Sequence, residues 1–342
     1  MRHGRALRRL RRERLIVAAG FHFDYYFDYY FFARAMKFRL PQIAFALACA
    51  LSLSAASGAR AQTAAPPLRA SVAVLDLGET EAAGRAADEL SAALAKQTRF
   101  DLVNRAQSRA AARGVGYAGS LNLTLAEARD LGAAVGCDFY FAGEAQTLRR
   151  TSGARPDYFE SYASLFLVSA RTGRLILWEH FNFESAAPDE AEKSLLAELR
   201  ARAARYGDVI AKARTGESGE RVAAREREAE DAFEELPEEG SPAAINFRAP
   251  QPYRSLRPVY PATAARAAVE AIVDALVEVD AAGEVKDIEI VRWAGYGLNE
   301  AVTATVRQLH FRPATRAGRA VPVRVLLRYN FRRPADEVKG KE

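Results

Sequence analysis

Two β-rich runs joined by a tight turn constrain this chain more than any other feature. Ile272–Val279 and Val285–Val291 flank Asp280-Ala-Ala-Gly283-Glu284. Gly283 can take the positive φ that closes such a turn, so the segment reads as a β-hairpin. Leu298–Leu309 follows with Leu298, Val302, Val306 and Leu309 at helical spacing, which predicts an amphipathic helix. Phe311-Arg-Pro313-Ala and a turn at Gly318 lead into a last strand, Val321–Phe331. Upstream, Val259-Tyr260-Pro261 opens a short helix through Ala268. The order is a small ββαβ domain over 251–333.

Tyr260-Pro261, Val279-Asp280, Gly283, Val285, Leu298, Ala301, Phe311, Pro313-Ala314, Gly318, Val321, Val325 and Phe331 stand where the C-terminal domain family of TonB has its motifs. The stretch resembles that family nearly element by element, departing at Glu270-Ala271, where the family has Glu-Gly. The resemblance implies docking by strand addition. An extended segment of an outer-membrane transporter or other envelope protein would pair with the sheet edge at the last strand, with backbone bonds giving affinity and side pockets giving choice. The implied partner-binding edge is Val321, Val323, Arg324, Val325, Leu327, Arg328, Tyr329 and Phe331. Arg324 and Arg328 share the face opposite Val323, Val325 and Leu327; they would meet an acidic partner or stand as ordinary solvated charges. Pro322 suits an edge, since it cannot donate to a ladder. Pairing of edge strands between two copies, giving a homodimer, stays open.

The earlier half, 70–213, reads as strands at Ser71–Leu77, Phe100–Val103 and Asp138–Ala142, with helices over Ala82–Lys96 and from Thr124 to about Gly136. Thr124-Leu-Ala-Glu127 is a capping box. Two longer strands, Tyr158–Ser169 and Leu175–Glu184, turn at Thr172-Gly173, and Pro188 opens a helix to about Lys212. This βαβαβ pattern with a hairpin and terminal helix predicts a mixed α/β sandwich, and the whole chain an α+β protein. Val72-Ala-Val-Leu-Asp76, Phe100-Asp-Leu-Val-Asn-Arg105 and Leu131–Glu144 resemble the CsgG and TolB-amino-terminal group of envelope domains, which implies a periplasmic interaction domain. Between the halves, 214–250 reads as a charged linker: Gly216 and Gly219 break the helical pattern, and Glu234-Glu-Leu-Pro-Glu-Glu239 suits a solvated helix or spacer.

The net charge of +6 belongs to the amino-terminal region, because downstream of Ala61 there are 38 Lys and Arg against 40 Asp and Glu. A nucleic-acid partner is dropped for that reason. Met36-Lys-Phe-Arg39, the apolar run Ile43–Leu53 and Ala59-Arg-Ala61 before Gln62 form the pattern of a secretory signal peptide over 36–61, cut between Ala61 and Gln62. An uncleaved signal anchor and lipidation at Cys49 are the alternatives. Residues 1–35, Arg-dense and with Phe23-Asp-Tyr-Tyr repeated at once, are read as an upstream extension foreign to the native chain, or as a basic cytoplasmic tail before a signal anchor. The expected location is the periplasm, or the inner membrane if the anchor is kept.

No catalytic constellation, cofactor motif or metal-ligand spacing is present in the sequence, so no enzyme, cofactor or metal is expected. Cys137, Trp178 and Trp293 are read as packing residues. Two functions remain. One is a TonB-like protein docking receptor peptides in energy-coupled transport, with an inner-membrane motor complex as a further partner. The other is a soluble periplasmic binding or assembly protein without energy transduction.

Overall fold

The structure, a computed structural model, describes residues 69–151, 157–227, 233–238 and 240–333. The expected leader, with Ala59, Ala61 and Gln62, lies outside them. The chain is α+β. The first half runs β1 (Ala70–Val74), α1 (Glu81–Ala95), β2 (Phe100–Leu102), α2 (Arg105–Gly114), α3 (Leu125–Val135), β3 (Phe139–Arg150), β4 (Tyr158–Ser169), β5 (Leu175–Ser185) and α4 (Pro188–Arg227). Its sheet has the order β2-β1-β3-β4-β5, with β1 parallel to β2 and β3 and the rest antiparallel.

Alternation along the strands divides this sheet into two faces. Val72, Val74, Phe139, Phe141, Leu165 and Leu167 pack with α1 and α4 through Leu90, Leu94, Leu195, Leu199, Tyr206 and Ile210. Ala73, Leu75, Tyr140, Ala142, Phe166 and Val168 face the other way and pack with α3 through Leu131 and Val135. The helix α2 was not expected from the sequence. Its buried residues are Ser108 and Ala112, so it carries no apolar stripe, and it is started by the Asn104 side chain accepting from the Ala106 and Gln107 amides.

After α4 come β6 (Glu234–Glu235), β7 (Phe247–Arg248), β8 (Gln251–Pro252), α5 (Ala262–Arg266), β9 (Ala271–Val279), β10 (Val285–Arg292), α6 (Leu298–Val306), β11 (Phe311–Arg312), β12 (Ala314–Arg316), β13 (Arg319–Val321) and β14 (Val323–Phe331). The main sheet has the order β10-β9-β14-β6, and β13-β12-β7 and β11-β8 form two smaller ones. Gly283, at φ +88°, closes the β9–β10 hairpin with the Phe311 carbonyl so near that a Cβ would sit 1.9 Å from its oxygen. The buried face of α6 is Leu298, Val302, Thr305 and Val306.

Three expectations change. The helix α4 does not stop near Lys212 but passes through Gly216 and Gly219 to Arg227. Glu217 anchors that extension, its carboxylate taken by Arg171 and by the Thr172 hydroxyl in the β4–β5 turn. The expected last strand, Val321–Phe331, is two strands: Pro322 ends β13 and β14 starts after it. The segment 214–250 is not a free spacer, since it supplies α4's last turns, β6 and β7, and the two halves share one core.

That shared core is the main architectural result. Val273, Val277, Trp293, Tyr296, Val302, Val325 and Phe331 of the C-terminal half belong to the same buried cluster as Tyr140, Phe166, Leu131 and Val135. Trp293 is 1% exposed, stacks on Phe166 with centroids 5.9 Å apart, and donates its Nε1–H to the Gly173 carbonyl at 2.9 Å. Asn122 binds the C-terminal half three ways, donating to the Ile272 and Trp293 carbonyls at 2.7 and 2.8 Å and accepting from the Ile272 amide at 3.1 Å. Arg174 pairs with Glu289 at 2.7 Å.

Candidate docking edge

The ladder between β9 and β14 is unbroken over nine pairs, from Val323↔Val279 to Phe331↔Ala271. Period-two alternation sends Val323, Val325, Leu327 and Phe331 into the core, with Tyr329 half-buried against it. Arg324, Leu326, Arg328 and Asn330 take the opposite face, where Leu326 is 37% exposed. The strand thus gathers all the sequence-predicted edge residues except Val321, which lies on β13 across Pro322.

The two arginines are engaged inside the sheet. Arg324 lies opposite Glu278 and donates Nε and Nη2 to its Oε1 at 3.0 and 2.9 Å. Arg328 lies opposite Asp274 and forks onto both of its oxygens at 2.8 and 2.9 Å. Asp274 is 3% exposed, with Arg292 a further 3.4 Å away. A carboxylate so buried needs this pairing. The strand's outer charges are therefore paired within the sheet while their guanidinium groups stay partly exposed.

The other side of β14 is covered in one place. The strand β6 runs parallel to it, with Val323 opposite Glu234 and Arg324 opposite Glu235. The Glu234 amide donates to the Pro322 carbonyl at 3.0 Å. Alternation then turns the backbone groups of Arg324, Leu326, Arg328 and Asn330 toward this same side. Pro237, lacking a donor, ends the β6 segment. Among the described residues no other strand pairs with β14 on this side. Arg316, on β12, holds Glu234 through Nε and Nη2 at 2.8 and 2.7 Å. The Ala243 carbonyl, 3.2 Å from Nη1, and the Phe247 ring, 5.1 Å away, fix that guanidinium. Leu236 packs half-buried on the core, and Arg324 lies over the Phe233 ring at 6.0 Å.

A second cluster lies where the halves meet. Gly295, Tyr296 and Gly297 all have positive φ, at 66°, 53° and 81°. This turn inserts Tyr296 among Phe166, Trp178 and His180, with centroids 5.7, 5.8 and 6.2 Å away, and its hydroxyl donates to Glu144 at 3.0 Å. Burial, then the nearby Glu144 charge, pushes the Tyr296 phenol well above its usual range. Ser164 Oγ lies 3.0 Å from His180 Nδ1, and desolvation lowers the His180 pKa against the raising effect of Glu144 and Glu160. Although it brings a serine, a histidine and a glutamate together, Ser164 is wholly buried and His180 meets it rather than Glu144. Sequence reasoning missed this plug. Its signal is an aromatic between two glycines in a strand-to-helix connection.

Cys137 is half-buried and packs against the shared core, and burial pushes its thiol up to about 12. Among the described residues no helix is long and apolar enough to cross a membrane.

Residues 257–332 match the family model of the Gram-negative bacterial TonB protein C-terminal domain. That match does not reach 70–213, so it lends no support to the likeness read there to the CsgG and TolB-amino-terminal group. No curated protein matches the chain by sequence. Solved structures similar to parts of it include the TonB C-terminal domain of Pseudomonas aeruginosa, at 18% identity and TM-score 0.23, covering 33% of this chain and all of that one. The hypothetical protein CT253 of Chlamydia trachomatis is 12% identical with TM-score 0.29, over 41% of this chain and 98% of its own. LpoB of E. coli is 22% identical with TM-score 0.25, over 35% and 60%.

Proposed function

We propose, from the TonB C-terminal family match over 257–332, that this chain is a periplasmic docking protein of the cell envelope. Its C-terminal sheet receives an extended segment of an outer-membrane transporter or other envelope protein at the edge of β14. The observation carrying this reading is the asymmetry of that strand among the described residues: nine ladder pairs to β9 on one side, and two to β6 on the other. A nine-residue strand offers about 30 Å of edge. Docking works through backbone pairing, which needs no catalytic group and no cofactor.

Energy-coupled transport is the narrower reading, and the fused core speaks against it. A transducing domain that travels to its receptor would here have to carry the first half with it, because Trp293 and Asn122 hold the C-terminal sheet onto that half. We therefore favour docking or assembly without energy transduction, in which the first half orients the edge. The test is a photo-crosslinking residue placed in turn at Leu326, Asn330 and, as a control on β10, Lys286, in cells that make the full chain. Adducts at Leu326 and Asn330 that map to one extended segment of an envelope protein are expected. Adducts of equal yield at Lys286, or none at the β14 positions, would reject the reading.

A further inference from the structure

The edge proposed for docking already holds a strand from this chain. We infer that Phe233–Leu236 is a built-in ligand of that edge, which a partner's strand must displace, and that the partner presents an acidic residue followed two positions later by an aliphatic one. This inference rests on the docking reading above and adds a gate and a recognition pattern to it.

Backbone pairing along β14 is indifferent to sequence, so choice must come from side-chain subsites. On the outer face Arg324 and Arg328 are already paired with Glu278 and Asp274, and Arg324 also lies over the Phe233 ring at 6.0 Å. Two further subsites are filled by Glu234 of β6 and by Leu236 just after it. The Glu234 carboxylate sits in the fork of Arg316, which Ala243 and Phe247 hold in place, and Leu236 rests against the core. Residues i and i+2 of a strand point the same way, and the register puts Glu234 beside Val323, whose side chain points inward. A sequence-selective partner therefore competes for the ground that Glu234 and Leu236 occupy. The competition is intramolecular, since β6 lies between the end of α4 at Arg227 and β7 at Phe247. A short tether gives a local concentration in the millimolar range, enough to fill a weak site most of the time. Two ladder pairs and a terminating Pro237 keep that hold weak and reversible.

The probe is a labelled synthetic peptide of residues 231–238, Asp-Ala-Phe-Glu-Glu-Leu-Pro-Glu. It is titrated by fluorescence anisotropy into the full chain and into the full chain carrying Glu234→Ala with Leu236→Asp. At least about tenfold tighter binding to the double variant is expected from removal of the tethered competitor. Adding Arg316→Glu should abolish that binding, and a peptide with Lys in place of its first Glu should restore it. In the unaltered protein, excess peptide should speed hydrogen exchange at the Glu234 amide, which now donates to Pro322; this readout needs no variant to fold. Equal affinity for both proteins with unchanged exchange would leave the edge able to accept a strand but remove β6 as its gate. Binding to neither would remove β6 as a ligand. Crosslinking from Leu326 tests the docking reading separately, so the two can fail independently.

Discussion

Replacing Trp293 with alanine tests the fused core most directly. The indole is 1% exposed, stacks on Phe166 at 5.9 Å and donates to the Gly173 carbonyl at 2.9 Å, so a C-terminal side chain completes a turn of the first half. Truncating a buried Trp costs about 3–5 kcal/mol, and the unpaired Gly173 carbonyl places the loss toward the upper end. For a body of this size the midpoint falls by roughly 10 °C. Trp293→Phe keeps one aromatic ring but loses the rest of the indole with its N–H, so it should cost less than the alanine variant and more than the hydrogen bond alone. The protein suits the assay, because its two tryptophans both report on the junction: Trp178 Nε1 donates to Glu300 of the C-terminal half at 3.3 Å. Guanidinium unfolding followed by fluorescence and by far-UV circular dichroism should give coincident transitions in the unaltered protein. Separate transitions there, or a Trp293→Ala loss no larger than the ~0.5 kcal/mol of a surface change, would refute the shared core.

Further outcomes follow from the same geometry. Asn122→Ala removes three hydrogen bonds across the junction and should cost about 2–3 kcal/mol in the same unfolding assay. Arg328→Ala leaves Asp274 buried with only Arg292 near it, at about 3 kcal/mol, whereas Arg324→Ala, whose partner Glu278 is partly exposed, should cost under about 1 kcal/mol. Gly295→Ala should loosen the junction, since its Cβ would meet the Phe166 ring at 2.5 Å and its φ is +66°. Folding lowers the His180 pKa from 6.5, so the unfolded chain binds the proton more readily. Its contribution is therefore intact above pH 6.5 and is lost as pH falls through the lowered folded value. The pH 7 to pH 5 stability loss should be smaller in His180→Gln than in the unaltered protein.

Elements whose cause is local were readable in the sequence. β-rich apolar runs marked β1, β4, β5, β9 and β10, the Thr124–Glu127 capping box marked α3, and the inward set Val323, Val325, Leu327 and Phe331 follows from alternation along β14. What escaped depends on partners far along the chain. Gly216 and Gly219 each disfavour a helix by about 1 kcal/mol, yet α4 continues because Arg171 and Thr172 hold Glu217. Glu234-Glu235 has the composition of a solvated spacer and becomes a strand because Arg316, 82 residues on, takes the Glu234 carboxylate. The acids that engage Arg324 and Arg328 are on a neighbouring strand whose register the pattern does not fix. Trp293 and Trp178 were rightly read as packing residues, but nothing local told which surface they pack against.

The edges of the C-terminal sheet bear on where a partner can add. At β10, Arg292 bridges to Thr124, the Trp293 amide donates to Leu123 at 3.1 Å, and Arg174 binds Glu289. Its other end borders the Glu284–His310 bridge. A strand arriving there would meet the first half. At β14 the resident strand stops after two pairs at a proline, and Leu326 is exposed beyond it. Unprotected edges invite unwanted pairing, which proteins limit by covering them. Here the first half covers one edge firmly, and a short acidic segment covers the start of the other lightly. Firm cover protects an edge, whereas cover that can be exchanged both protects it and leaves it usable, and this difference is why β14 rather than β10 is the surface on which a partner strand is expected.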